Sequence, residues 1–281
     1  MTSPEIFDRA ARRRRRDRIV PRYAEHAFLR EAMVEGLAER LDSVSRRFTD
    51  ILDLGCFDAT FASPTGARIA RCDAGSLFAR AAGGVQADED RLPFADGAFD
   101  LVVSAGVLDQ VNDLPGALTL IQRVLRPDGL FLGAFVGGTS LPKLRAALRS
   151  AQIDRPTARL HPAIDLVSAG DLLGRAGLTL PVADVETLSV RYASIDGLLA
   201  DMRGMGASNL LTGRTPLTRG ELARAADAFS AAADPDGRTT ERFDLIFVTA
   251  WSPSPDQPKP AARGSGRISL ADALGRFPGA A

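Results

Sequence analysis

Apolar positions fall into two alternating rhythms along the chain. Phe28, Leu29, Met33, Val34, Leu37 and Leu41 recur at helical spacing with charges between them, which predicts a core-facing helix over Glu25 to Leu41. Short apolar runs then read as buried strands: 51–55, 67–73 ending on Asp73, a brief one near 84–87, 99–104, and 130–136 after the Arg126-Pro127-Asp128-Gly129 turn. Helical patterns separate them, one through Leu77, Phe78 and Ala82 and another from Leu114-Pro115 carrying Leu118, Ile121 and Leu125 on one face. Strand and helix in alternation predict a parallel sheet with helices on both faces and a ligand crevice at the carboxyl ends of the strands.

Beyond residue 136 the pattern continues with helices over 141–153 and 164–176, and strands over 182–190 and 243–251 that close one edge. Helical stretches at 194–205 and 217–232 read as an insertion before the last strand, covering the site. The expected organisation is a basic and helical segment over 1–48, one α/β domain over 49–252 with its insertion at 194–232, and a Pro/Gly-rich tail over 253–281 that is extended and partly mobile.

Length and composition fit this reading. The 281 residues suit one large α/β domain with extra elements, and 45% hydrophobic with 25% charged residues is ordinary for a globular protein. Lysine plus arginine and aspartate plus glutamate both number 35, so no overall field draws the chain to nucleic acid or membrane. No apolar run approaches the roughly 20 residues that span a bilayer, and no signal-peptide core opens the chain, so a cytoplasmic location is expected. Cys56 and Cys72 are too few for a disulfide framework and read as two half-buried thiols. The Arg12 to Arg16 run, with Arg9, Arg18 and Arg22 nearby, reads first as a solvated helical face. Binding to an acidic partner, or peripheral association through Arg12 to Arg18, is the alternative.

The candidate chemistry lies at strand ends. Asp53-Leu54-Gly55-Cys56 closes the first strand, where Gly55 permits close approach of a ligand and Asp53 can accept from an amine or a water. Asp73 ends the second strand, where a carboxylate reaches two ribose hydroxyls; Asp88-Glu89 is placed to accept from an adenine amino group. Each acid alone could equally be a cap or turn residue; three at successive strand ends form a more specific pattern. His26 and His161 read as structural, because neither has a triad or metal-ligand pattern, and no metal site is expected.

These residues, with Phe99 to Ser104, resemble the class I S-adenosylmethionine (SAM)-dependent methyltransferases, which have a Rossmann-like fold. Later motifs narrow the likeness. Val111-Asn112-Asp113-Leu114-Pro115, Gly137-Gly138-Thr139, Leu172 to Gly177, and Gly204-Met205-Gly206 with Ser208-Asn209 are similar to the complex I assembly factor 5 group and its bacterial relatives, as are Ile6 to Arg9 and the tail 263–266. The resemblance implies SAM as cofactor, with Asp53, Gly55, Asp73, Asp88, Glu89 and Ser104 as its binding set. It also implies a protein substrate in respiratory complex I assembly, with hydroxylation of an arginine as the activity in mitochondrial relatives.

Two departures from the family pattern matter. Phe57 and Ala59 stand where glycines let the backbone turn tightly beside the cofactor, so Phe57 is expected to fill part of the pocket. Asp109-Gln110 replaces a His-aromatic pair beside the substrate, which leaves no obvious general base, and no catalytic residue is assigned. The first expectation is therefore a SAM-dependent methyltransferase-like protein acting on a protein. The alternatives are a non-catalytic assembly or chaperone-like protein with a degenerate SAM site, and an O-methyltransferase acting on an acyl-carrier substrate.

Overall fold

The computed structural model describes residues 5–62, 64, 66–152, 157–257 and 269. The end of the expected helix at Ile153 and the tail motif at 263–266 lie outside the described residues. Seven strands form one sheet: β1 Asp50–Leu54, β2 Arg68–Asp73, β3 Val85–Gln86, β4 Phe99–Ala105, β5 Leu125–Gly137, β6 Thr179–Tyr192 and β7 Thr239–Trp251. Their order is β3-β2-β1-β4-β5-β7-β6. The first five run parallel, and β7 pairs antiparallel with both β5 and β6. Successive strands are added in one direction from β1 to β3 and in the other from β4 onward, so the loops leaving the parallel neighbours β1 and β4 diverge and open a crevice.

Period-two alternation divides the core. Leu52, Val102 and Phe131 face one side, against Leu118 and Ile121 of α4 (Leu114–Val124) and Leu173 of α6 (Leu166–Arg175). Ile51, Leu101, Val103, Leu130 and Leu132 face the other, against Met33 and Leu37 of α2 (Phe28–Asp42), Leu144 of α5 (Pro142–Ser150), Leu198 of α7 (Ile195–Gly204) and Phe229 of α8 (Arg219–Ala231). The mixed sheet with helices on both faces is the expected class I α/β fold, and α7 and α8 are the helical insertion before the last strand.

Several boundaries differ from expectation. The segment opening at Glu25 starts as a 3-10 helix over Val20–His26, with Pro21 in its first turn, and α2 begins at Phe28. β5 begins at Leu125 because the Pro127-Asp128 turn stays within the strand, with Asp128 at φ +61°. Both cysteines are fully buried and free rather than half-buried.

The insertion is fastened to the N-terminal segment. Gly204 of α7 lies so near the 3-10 helix that a Cβ there would sit 2.0 Å from His26 Cδ2, while His26 Nδ1 meets Asp201 at 2.8 Å. After α7, Leu210 accepts a hydrogen bond from the Asp8 amide at 2.8 Å, and the Ser208 and Asn209 carbonyls accept from Arg15 at 2.7 and 2.6 Å. The two segments thus close together over the carboxyl edge of the sheet.

Candidate functional site: a cofactor crevice held by arginines

α1 (Arg9–Ile19) begins at the N-cap of Asp8, which accepts from the Ala11 amide at 2.8 Å. Spacings of three and four residues place Arg9, Arg12, Arg13 and Arg16 on one face. That face meets the strand-end acids one by one. Arg9 forms a fork on Asp90 at 2.6 and 2.5 Å, Arg12 a fork on Glu89 at 2.6 and 2.8 Å, and Arg13 donates to Asp88 at 3.3 and 2.6 Å. Arg16 binds Asp73 through Nε at 3.2 Å and through Nη2. Arg12 and Arg16 are each 4% exposed. The expectation of a solvated arginine face is therefore corrected. Burial disfavours the Arg12 charge, but the attraction and hydrogen bonds of Glu89 outweigh it and hold the guanidinium above its ordinary pKa. Only Arg14 and Arg18 of the run are exposed, which removes most of the surface expected for peripheral association through Arg12 to Arg18.

Asp73 ends β2 as expected, at the crevice, and is 1% exposed. Besides Arg16, it accepts from the Phe57 amide at 3.0 Å and the Gly75 amide at 2.7 Å. Phe57 projects into the crevice, 4% exposed, with the Arg16 guanidinium carbon 3.2 Å from its ring centroid. Tyr23 stacks on the same ring with centroids 4.9 Å apart, and Phe78 meets it edge-on at 5.6 Å. Arg30 approaches to 5.2 Å and donates to the Cys56 carbonyl at 3.0 Å. An aromatic and guanidinium stack thus lies against the carboxylate expected to take the ribose.

The loop accommodates this stack at a conformational cost. Phe57 and Ala59 have φ of +45° and +60°, left-handed values that glycine adopts freely and L side chains do not. Gly55 has φ +77°, and a Cβ there would lie 2.4 Å from Val107 Cγ1, so Val107 occupies the space over this glycine.

The other candidate residues sit beneath the crevice. Asp53 lies within β1, 1% exposed, 3.8 Å from Arg30 and 3.9 Å from Arg71, and its Oδ2 has no hydrogen-bond partner among the described residues. Burial pushes its carboxyl up to about 6 against the pull of those two arginines. Ser104 is fully buried on β4 beside Leu54, and its Oγ has no partner among the described residues. Burial raises the Cys56 thiol to about 12, so neither it nor the more strongly shifted Cys72 is a ready thiolate. The structure thus brings Gly55, Asp73, Asp88 and Glu89 to one crevice.

With α1 docked as it is, the residues expected to hold SAM are already occupied. The carboxylates it would bind are engaged by arginines, and the loop meant to lie close to it fills the gap with Phe57. Among the described residues, no group of three or more His, Cys, Asp or Glu is placed to hold a metal ion.

A small cavity of about 70 Å³ lies between α2, the end of β5 and α7, bordered by Leu29, Asp109, Ser140, His161 and Met202. Asp109 was read as the loss of a base, yet it brings a carboxyl to this cavity. Its Oδ1 is out of solvent and has no partner among the described residues, and burial pushes the group up to about 6. His161 is held neutral, lowered to about 4 by burial and by nearby arginines, and its Nε2 accepts from the Leu210 amide at 2.9 Å. The arrangement can hold or release a proton at Asp109. The sequence signal for it was its position just after β4.

Comparison with known proteins matches this architecture. The methyltransferase domain family matches residues 52–133. Arginine-hydroxylase NDUFAF5, mitochondrial, from Danio rerio is 34% identical over 95% of this chain and 89% of its own length. Malonyl-[acyl-carrier protein] O-methyltransferase from Methylovorus sp. is 32% identical over 88% of this chain and 90% of its own length. The crystal structure of the YcgJ protein from a Bacillus aligns with a TM-score of 0.56 at 16% identity, covering 78% of this chain and 99% of that one, which supports the fold alone. The names of the NDUFAF5 relatives place them in mitochondria, so they do not carry the cytoplasmic expectation. No helix among the described residues is long and apolar enough to cross a membrane. Similarity at this level along nearly the whole chain, on the fold described, means that the protein belongs to the arginine-hydroxylase NDUFAF5 family.

Proposed function

We propose that the protein acts on a protein substrate in the assembly of respiratory complex I, and that it does so without SAM, as a non-catalytic assembly or chaperone-like member of its family. The assembly role rests on the resemblance to the complex I assembly factor 5 group; relatives named as arginine hydroxylases match the chain almost end to end, which favours a protein as the substrate. One observation carries the non-catalytic part: Arg16, stacked on Phe57 and bound to Asp73, takes up the room and the acceptor that a SAM ribose would need.

The second reading is a SAM-dependent enzyme, which the methyltransferase domain match and the cavity carboxyl of Asp109 favour. It requires α1 to withdraw so that the acids become free. Titration of the folded protein with SAM by calorimetry separates the two. We expect no binding heat at millimolar SAM; micromolar affinity would overturn the non-catalytic reading and restore the enzyme. Loss of the gene should lower the content of assembled complex I, and an unchanged complex would remove the assembly role.

A further inference from the structure

Four arginines, Arg15, Arg159, Arg203 and Arg214, border a groove of about 670 Å³ floored by apolar side chains that include Leu148 and Met202. No aspartate or glutamate is among the described residues that border it. The contrast with the opposite face of α1 is direct. There each of Arg9, Arg12, Arg13 and Arg16 meets its own carboxylate. Among the described residues Arg15, from the same helix, donates only to the Ser208 and Asn209 carbonyls, and Arg203 only to the Leu199 carbonyl of its own helix. Arg159 and Arg214 are paired with acids, Glu221 at 3.2 Å and Asp8 at 3.1 Å, neither of which borders the groove. Burial and the like charges of Arg214 and Arg18 push the Arg15 pKa below its ordinary value against the opposing pull of Asp8. The groove adjoins the cavity of Asp109, sharing Arg159, Leu160 and Met202 as a common wall.

We propose that this groove docks an acidic, amphipathic segment of a protein partner. An apolar floor rimmed by four guanidinium groups, of which Arg15 and Arg203 meet no carboxylate within hydrogen-bond distance among the described residues, complements a segment that presents leucine-like side chains on one face and carboxylates on the flanks. Guanidinium forks recognise carboxylates in a plane, so the rim also fixes the orientation of the segment. The proposal rests on the reading of the chain as an assembly protein with a protein substrate, and it names the surface and the chemistry by which that substrate is gripped.

Fluorescence polarisation tests it with the full chain and two labelled helical peptides, one of Leu-Glu-Glu-Leu repeats and one with lysine in place of each glutamate. We expect the glutamate peptide alone to bind. Arg203→Glu should weaken it by roughly tenfold or more, since one contact is lost and one repulsion gained. Arg203→Lys should retain part of the affinity, and Arg175→Glu, on α6 against the other sheet face, should leave it unchanged. Arg203 is exposed and bonds only within its helix, so these variants should fold, which circular dichroism checks. Failure of the glutamate peptide to bind, equal binding of the lysine peptide, or wild-type affinity in Arg203→Glu would each overturn the proposal. The SAM titration is independent of these results, so failure of the docking surface and failure of the non-catalytic reading are told apart.

Discussion

The guanidinium carbon of Arg16 lies 3.2 Å from the centroid of the Phe57 ring, while its nitrogens grip Asp73, whose carboxylate also receives the Phe57 amide. The three residues form a closed unit in which each depends on the other two. Arg16→Ala should destabilise the fold by about 3 kcal/mol, because it leaves a buried carboxylate without its cation. The two remaining backbone donors to Asp73 keep the loss at the lower end of the usual range for a broken buried pair. Replacing both partners, as Arg16→Met with Asp73→Asn, should recover most of the stability. Urea denaturation of the three variants checks the pattern, and equal losses in the single and double variants would contradict it.

Ala59 is the simpler part of the strained loop. Its φ of +60° costs an L residue about 1 kcal/mol, and it is only half-buried, so little packing is lost on truncation. Ala59→Gly should leave stability unchanged or raise it by up to about 0.5 kcal/mol after the added chain entropy of glycine is subtracted. Phe57→Gly should instead lose about 3 kcal/mol or more, since strain relief does not offset the stacked ring. Thermal melts of the pair should move in different directions or by clearly different amounts.

Burial of Asp53 predicts a pH signature. Its folded pKa, about 6, stands above the ordinary 3.8, so the folded state holds the proton more tightly than the unfolded chain. Stability from this group is therefore full below about pH 4 and declines as pH rises toward 6, by at most about 1.4 kcal/mol per pH unit. Asp53→Asn should gain on wild type across that window and hold a constant lead above it. A difference that is flat from pH 4 to 7 would show that Arg30 and Arg71 fully compensate the charge.

His161 gives the opposite sign. Its pKa is lowered to about 4, so the neutral ring stabilises the fold above the ordinary value of 6.5, and that contribution is lost as pH falls from 6.5 toward 4. Because Nε2 accepts from the Leu210 amide, the proton must sit on Nδ1. Long-range nitrogen–proton correlation at pH 6 should show this tautomer, and a ring already charged at that pH would rule the arrangement out.

Much of the sheet was legible because its strands are continuous apolar runs. Phe99 to Ser104 is buried on both faces and could hardly be anything else. The strand-end acids were also legible as a group, since βαβ alternation alone brings Asp73, Asp88 and Glu89 to one edge, and Phe57 was visible as a side chain too large for its loop. The partners of those acids were not. Arg16 is 57 residues from Asp73, and Arg9 is 81 from Asp90, so no local pattern links them. An arginine run has the same sequence whether it faces solvent or carboxylates, and solvation was the simpler reading. The burial of Asp109 was not legible for a related reason, because it depends on walls supplied by α2, β5 and α7 that the residues around it do not announce.

Since Arg16 belongs to the chain whose crevice it fills, any free molecule arriving there competes with a tethered rival. A tether gives its end group an effective concentration of millimolar or above, and this one is ordered helix rather than loose linker, which raises that figure further. Dilution does not weaken the rival, and purification does not wash it away. An incoming ligand must therefore either bind far more tightly than its own contacts with Asp73 would suggest, or arrive with something that draws α1 aside.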